Sequence, residues 1–82
     1  MESKSIQIRV RDGLLERLQH ISGLQTDEAM AGAIGVGRVT YSAVKRGERE
    51  PSIGFAVGVA RAFGLGLSEI VTWEEPQATQ AA

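Results

Sequence analysis

The sequence predicts a mainly α-helical fold: a compact domain of four to five helices, preceded by a short N-terminal β-strand. Two observations predict it: the chain has only 82 residues, and apolar residues recur at helical spacing through most of it. Glycines interrupt that spacing at short intervals, which is typical of short helices that end in glycine. We expect residues 1–75 to form a single domain and residues 76–82 to form a disordered tail. A domain of this size buries only a modest core, so tight helical packing or a dimer is expected.

The first predicted element is a β-strand between Ser5 and Val10. Apolar and polar residues alternate in this segment with the two-residue period of a half-buried strand. The alternative is a helix that begins near Val10, but the turn sequence Asp12-Gly13 favours a strand followed by a separate element. The residues on the apolar side of the strand are Ile6, Ile8 and Val10.

A helix is predicted from Leu14 to Gly23, because the apolar period there becomes three or four residues. Gly23 ends this helix in the manner common for C-terminal glycines. The apolar stripe consists of Leu14, Leu15, Leu18 and Ile21.

Two short helices joined by a glycine turn follow. Thr26 is predicted to cap the first, and Asp27 lies in its first turn, where acidic residues favour the positive end of the helix dipole. The segment Gly35-Val36-Gly37 interrupts the helical pattern for three residues, and the segment from Arg38 to Arg46 resumes it. This arrangement is typical of a helix-turn-helix, here from about residue 26 to residue 46.

The remainder is predicted to add one longer helix and one short element. Gly47 ends the preceding helix, and Ser52 caps a helix over residues 53–63. Residues 67–71 could form one more helical turn, and residues 70–73 could equally form a second strand.

Composition excludes several classes of function. The chain has no cysteine, and its single histidine, His20, has no partner for a metal or a catalytic role. We therefore expect no enzyme activity, no cofactor, no metal and no small-molecule ligand. No apolar run approaches the roughly 20 residues needed to cross a bilayer, and the polar residues 1–4 are unlike a signal peptide. These features predict a cytoplasmic protein without membrane contact.

Positive charge is concentrated in one short segment. The net charge is -1 at pH 7, which by itself does not indicate nucleic-acid binding. Residues 36–49, however, contain four basic residues against Glu48 alone. The basic residues are Arg38, Lys45, Arg46 and Arg49.

Several short motifs recur along residues 14–71 at the spacing of a known family. Ala31 lies in the first helix of the pair, Gly35 lies at the turn, and Arg46-Gly47 ends the second helix. Pro51-Ser52 and the stop at Gly64 follow. Together they resemble the Cro and lambda-repressor-like helix-turn-helix proteins, also called the XRE family. The resemblance implies a transcriptional regulator, such as a small phage or bacterial repressor, that binds double-stranded DNA as a homodimer.

By this resemblance, the outer side of the second helix enters the major groove and contacts bases. Arg38 can donate two hydrogen bonds to guanine, which makes it the first candidate for base recognition. Val39 and Ala43 offer methyl groups that suit a thymine methyl, and Ser42 can donate or accept a hydrogen bond.

Other residues are candidates for phosphate contacts, which set the docking geometry without recognising sequence. They are Thr26, Thr40, Lys45, Arg46 and Arg49.

Two positions depart from the family. Asp27 replaces a common glutamine that touches the DNA backbone, so either Asp27 turns aside or its charge lowers the affinity. Gly37 replaces a polar cap and contributes no side-chain contact.

Two surfaces are candidates for a dimer interface. The favoured one combines the predicted strand, through Ile6, Ile8 and Val10, with the region of Trp73. The strand could pair with residues 70–73 of its own chain or of a partner. The other is a small-residue stripe on the helix over residues 53–63, formed by Gly54, Gly58 and Ala62. Two glycines in a short helix cost roughly 1 kcal/mol each relative to alanine, which close approach of another helix would offset. The alternative is that these glycines are tolerated without a role.

A second class of function stays open, namely a protein-interaction module on the same fold. Such a module would be an antitoxin, or a phage or host factor, that binds a protein partner. The near-neutral net charge, Asp27 and the small-residue stripe support it.

Overall fold

Five helices and two short strands make up the fold. The computed structural model describes residues 6–74, so the predicted disordered tail and the first predicted strand residue, Ser5, lie outside the described residues. The elements are β1 (Gln7–Val10), α1 (Leu14–Ser22), α2 (Asp27–Ile34), α3 (Arg38–Lys45), α4 (Ile53–Phe63), α5 (Leu67–Ile70) and β2 (Val71–Glu74). The predicted mainly helical fold with an N-terminal strand is confirmed.

The two strands pair with each other in antiparallel orientation. Ile8 lies opposite Trp73, and Val10 lies opposite Val71. Because facing residues of an antiparallel pair share one side of the sheet, all four side chains lie on the same face. Val10 and Val71 pack against the helical core at one end of that face. The sequence left open whether the region around β2 forms a helical turn or a second strand. The structure contains both, because the single helical turn α5 leads directly into β2.

The apolar stripe of α1 is shorter than the sequence predicts. Leu14, Leu15 and Leu18 are buried, but Ile21 is 68% exposed, so its assignment to the buried stripe is wrong. The helix ends at Ser22, the residue after Ile21, and Gly23 adopts the left-handed conformation with φ 77°. This turn redirects the chain, and Leu24 packs against the core in place of Ile21.

The turn between α2 and α3 forms as the glycine pattern predicts. The Thr26 hydroxyl accepts a hydrogen bond from the Ala29 amide at 3.0 Å, which caps α2. Gly35 follows α2 with φ 94°, a conformation that side-chain-bearing residues rarely adopt. The chain then enters α3 after only two more residues, so the two helices must pack closely.

One hydrophobic cluster joins all five helices. The ring of Tyr41 from α3 stacks against that of Phe55 from α4, with 6.2 Å between centroids and 14° between planes. The buried members are Leu14, Leu15, Leu18, Met30, Ala31, Ile34, Tyr41, Val44, Phe55, Val59 and Ile70. Among the described residues, no helix is both long and apolar enough to cross a membrane.

Gly58 allows α4 to approach the end of α2. A methyl group at this position would lie 2.7 Å from Cγ2 of Ile34 and closer still to the Ile34 carbonyl oxygen. Gly58 therefore serves a helix contact within the chain, while its place in a dimer interface stays a prediction. Gly54 and Ala62, the other residues of the small-residue stripe, are exposed.

We predict that Gly58→Ala destabilises the protein whereas Gly54→Ala does not. Alanine favours a helix over glycine by about 1 kcal/mol at either position. At Gly58 the added methyl group overpacks the contact with Ile34, which we expect to cost about 1–3 kcal/mol and to reverse that gain. At Gly54 the nearest atom is the Ser52 Oγ at 3.7 Å, so the gain remains. Urea unfolding of both variants measures the difference, and equal stabilisation by the two alanines would contradict the close approach.

Candidate nucleic-acid interface

The outer face of α3 is largely exposed. Arg38 and Val39 begin the helix, and Val39 is 72% exposed although it is apolar. Ala43 lies one turn later and is half-buried, and Arg46 follows the helix and is exposed. These four residues lie on one side of α3, as the sequence predicts. Arg38 has no hydrogen-bond or ion-pair partner within residues 6–74, so its guanidinium is uncommitted there.

Ser42 does not belong to this exposed face. It is 7% exposed, and its hydroxyl donates a hydrogen bond to Oδ2 of Asp27 at 2.6 Å. The expectation that Ser42 projects outward with Arg38 is therefore wrong. The cause is the carboxylate at the start of α2, which draws the hydroxyl toward the seam between the two helices.

Asp27 is the centre of a polar network between α2 and α3. While Oδ2 accepts from Ser42, Oδ1 accepts from the Lys45 ammonium at 2.7 Å. The side chains of this ion pair are only 28% exposed at Asp27 and 22% exposed at Lys45. Asp27 therefore turns aside from the outer surface and carries its own counter-ion, which resolves the alternative left open by the sequence.

Gln19 extends the network to α1. Its Oε1 accepts one hydrogen bond from the Tyr41 hydroxyl at 2.8 Å and another from Lys45 Nζ at 3.2 Å. The same ammonium lies 5.8 Å from the centroid of the Tyr41 ring, within the range of a cation–π contact. Three helices thus share one chain of polar contacts beside the hydrophobic core.

The network stabilises the charged form of Asp27. The hydrogen bond from Lys45, and after it the one from Ser42, hold the pKa of the Asp27 carboxyl below its ordinary value, against the opposing effect of burial. Burial is also the main reason why the pKa of the Tyr41 hydroxyl is raised, so Tyr41 stays a hydrogen-bond donor to Gln19.

Lys45 is not available for a phosphate in this structure. Its ammonium already contacts Asp27 and Gln19, which corrects the expectation that it points toward DNA. Arg46 and Arg49 are exposed but also have partners. Arg46 donates two hydrogen bonds, each of 3.1 Å, to the Glu48 carboxylate, and Arg49 donates one of 3.1 Å to the Thr40 hydroxyl.

Neither Gln19 nor Glu48 is singled out by the sequence patterns. Glu48 could have been found, because it is the only acidic residue within the basic segment and stands two positions after Arg46. Gln19 could not, because its partners lie 22 and 26 residues away on another helix. The remaining phosphate candidate, Thr26, uses its hydroxyl to cap α2.

Two short helices, a glycine turn between them and a basic outer face on the second define a helix-turn-helix protein. The family model described as helix-turn-helix matches residues 23–70, and the chain belongs to this family. The resemblance to the Cro and lambda-repressor-like, or XRE, proteins is confirmed.

A relative with a related sequence is found in Methanocaldococcus jannaschii. That protein bears the name uncharacterized HTH-type transcriptional regulator, and it is 33% identical to this chain over 52 residues. The matched segment covers 63% of this chain and 79% of the relative. No solved structure gives a significant match.

We predict that Asp27→Asn destabilises the protein by about 1–3 kcal/mol near neutral pH, because a charged hydrogen-bond acceptor of Lys45 and Ser42 is lost. The pKa of Asp27 is lowered in the folded state, so its contribution is complete above the unfolded-state pKa of about 3.9 and declines as the pH falls through the folded-state value. The stability difference between parent and variant should therefore be constant above about pH 5 and shrink below about pH 4. Urea unfolding across this range measures it, and a difference that grows with acidity would contradict the assignment.

Proposed function

We propose that this protein is a transcriptional regulator that binds double-stranded DNA with sequence specificity and places α3 in the major groove. The observation that carries the proposal is the outer face of α3. There the guanidinium of Arg38, which has no hydrogen-bond or ion-pair partner in the described part of the chain, lies beside exposed apolar groups. Membership of the helix-turn-helix family and the printed name of the archaeal relative support the same function. The proposed activity is binding without catalysis, in the cytoplasm, and its proposed regulatory effect is repression at an operator.

Arg38 is the proposed base-recognition residue. It occupies the first position of α3, and the preceding residue, Gly37, has no side chain that could compete for its guanidinium. A guanidinium in that position can donate two hydrogen bonds to O6 and N7 of guanine. Val39 and Ala43 would then contact thymine methyl groups on the same face, while the inward orientation of Ser42 removes it from the proposed base contacts.

Arg46 and Arg49 are the proposed phosphate contacts. Both side chains are exposed, and each would exchange its present partner for a phosphate oxygen. Exposed ion pairs and hydrogen bonds contribute little, so this exchange is inexpensive. The hydroxyls of Thr26 and Thr40 are further proposed phosphate contacts. With Lys45 engaged by Asp27, few cations per protomer remain for phosphates, which predicts a shallow salt dependence.

The test of the proposed function compares Arg38→Ala with Arg61→Ala. Both variants lose one exposed arginine, but Arg61 lies in the last turn of α4, away from the outer face of α3. A duplex is first selected by the parent from a pool of random sequences, and affinities are then measured for it and for a scrambled duplex. We expect Arg38→Ala to lose about 1–3 kcal/mol on the selected duplex and to relax the preference at one base pair. Arg61→Ala should bind both duplexes like the parent.

A parent protein that enriches no sequence from the random pool would contradict sequence-specific binding. Equal losses by Arg38→Ala on the selected and the scrambled duplex would instead make Arg38 a phosphate contact.

We further propose that the protein acts as a homodimer and that the second copy docks on the sheet face, defined as Ile6, Ile8 and Trp73. The side chains of these residues are 54%, 39% and 58% exposed, although the same side of the sheet packs on the core through Val10 and Val71. Val10 is thereby withdrawn from the interface candidates of the sequence. The opposite side is polar, with Arg9 and Glu74 forming an ion pair of 3.9 Å.

A second copy is the occupant that suits this face best. The sheet face carries no charge, so two copies related by a twofold axis would bring apolar groups together without a like-charge pair. A twofold dimer would also present two copies of α3 to half-sites about one DNA turn apart.

Ile8→Gln and Ile53→Gln form a matched pair that tests the dimer. Each change removes one exposed isoleucine, from the sheet face in the first case and from the start of α4 in the second, where Ile53 is 74% exposed. We expect sedimentation equilibrium to show weakened dimerisation for Ile8→Gln alone. A parent that remains monomeric at high micromolar concentration, with and without the selected duplex, would contradict the homodimer.

A further inference from the structure

We infer that Asp27 is a positioning residue for DNA recognition, whose carboxylate fixes the orientation of α3 and thereby sets sequence selectivity. This inference rests on the proposed function and explains how the outer face of α3 is held in place. Asp27 itself points away from that face, so any influence on DNA must pass through Ser42 and Lys45.

The geometry of the two contacts is suited to this role. One carboxylate binds α3 at two points, Ser42 in the middle of the helix and Lys45 at its end. Two fixed points on the flank of a helix restrict rotation about its axis as well as tilt. The Lys45 ammonium also donates a hydrogen bond to Gln19 of α1. The position of α3 is therefore fixed relative to both α1 and α2.

The beginning of α3 has little support of its own. Gly37 precedes the helix without any side-chain cap, whereas Thr26 and Ser52 cap α2 and α4 through their hydroxyls. The helix has only eight residues, which is short for stability in isolation. Side-chain contacts with neighbouring helices therefore decide where Arg38 stands.

A small rotation of α3 would be enough to change base recognition. Side-chain atoms lie roughly 5 Å from a helix axis, so a rotation of about 20° displaces them by nearly 2 Å. Specific recognition tolerates displacements of about 0.5 Å. Phosphate contacts from flexible exposed side chains such as Arg46 tolerate much more, because they only need charge within reach. Loss of Asp27 should therefore weaken selective binding and spare unselective binding.

Removal of the carboxylate also has an electrostatic consequence. The Lys45 ammonium loses its counter-ion and becomes able to contact a phosphate. Binding to DNA of any sequence should then strengthen and depend more steeply on salt, by about 0.9 in the slope of log K against log salt for one additional phosphate. A residue that only stabilised the fold would not move these two properties in opposite directions.

Glu28 provides a matched control. It is an exposed acidic residue in the same first turn of α2, and it has no hydrogen-bond or ion-pair partner in the described part of the chain. Glu28→Gln removes the same charge as Asp27→Asn from nearly the same place. Any effect of net charge alone must appear equally in both variants.

The experiment measures the affinities of parent, Asp27→Asn and Glu28→Gln for the duplex selected by the parent and for a scrambled duplex, at several salt concentrations. We expect Asp27→Asn to lower the ratio of the two affinities by about tenfold, the effect of one mismatched base pair. Its salt slope on the scrambled duplex should be steeper than that of the parent. Glu28→Gln should leave the ratio of the two affinities unchanged. The double variant Asp27→Asn/Lys45→Gln should restore the salt slope of the parent but not its affinity ratio.

Hydrogen exchange of the free protein tests the positioning without DNA. Comparison of Asp27→Asn with Glu28→Gln should show the exchange of the α3 amides accelerated about tenfold more than that of the α4 amides, because α4 reports only the loss of global stability. If Asp27→Asn is not folded, Ser42→Ala removes one of the two contacts with α3 and should show a smaller change of the same sign.

Equal exchange in α3 and equal affinity ratios for the Asp27 and Glu28 variants would overturn the inference. Failure of the parent to select any duplex would contradict the proposed function alone, and the exchange result would still decide whether Asp27 positions α3.

Discussion

The carboxylate of Asp27 is the interaction on which the arrangement of the two central helices depends. A half-buried carboxylate is costly unless both oxygens have partners, and here a hydroxyl and an ammonium of α3 satisfy them. Together with the buried side chains of Tyr41 and Val44, these contacts fix which side of α3 is turned inward. Arg38 and Val39, in the first turn of α3, remain exposed. We propose that Asp27, the acidic residue least compatible with a DNA-binding surface by its charge, organises that surface from within.

Much of the fold follows from local patterns in the sequence. The hydroxyls of Thr26 and Ser52 cap α2 and α4 as predicted, and the glycine at position 35 has the positive φ that the turn requires. Long-range pairing could not be derived in this way. The partner of β1 lies about 60 residues away, and alternation alone could not show that it pairs with β2. The exposure of Ile21 could not be predicted either, because helical periodicity does not show how far the core extends.

The orientation of a side chain in the candidate site could be predicted where its position along the helix determines it. It could not be predicted where a contact with another helix determines it. Helical spacing correctly placed Arg38 and Val39 on the outer side of α3. The orientations expected for Ser42 and Lys45 were wrong, because side-chain chemistry alone does not show that Asp27 of another helix lies within 3 Å. Gly58 was noticed in the sequence as a site of close approach, but only the structure identifies Ile34 of the same chain as its neighbour.

The central claim is that the outer face of α3, held in place from behind by Asp27, is the surface that contacts DNA. The most direct measurement is a titration of isotope-labelled protein with the duplex selected from random sequences, followed by amide chemical shifts. We expect the largest changes at Arg38, Val39 and Ala43 and in the segment over residues 46–49, with no comparable change along α4. Changes concentrated in α4 or on the sheet face, with α3 unaffected, would contradict it.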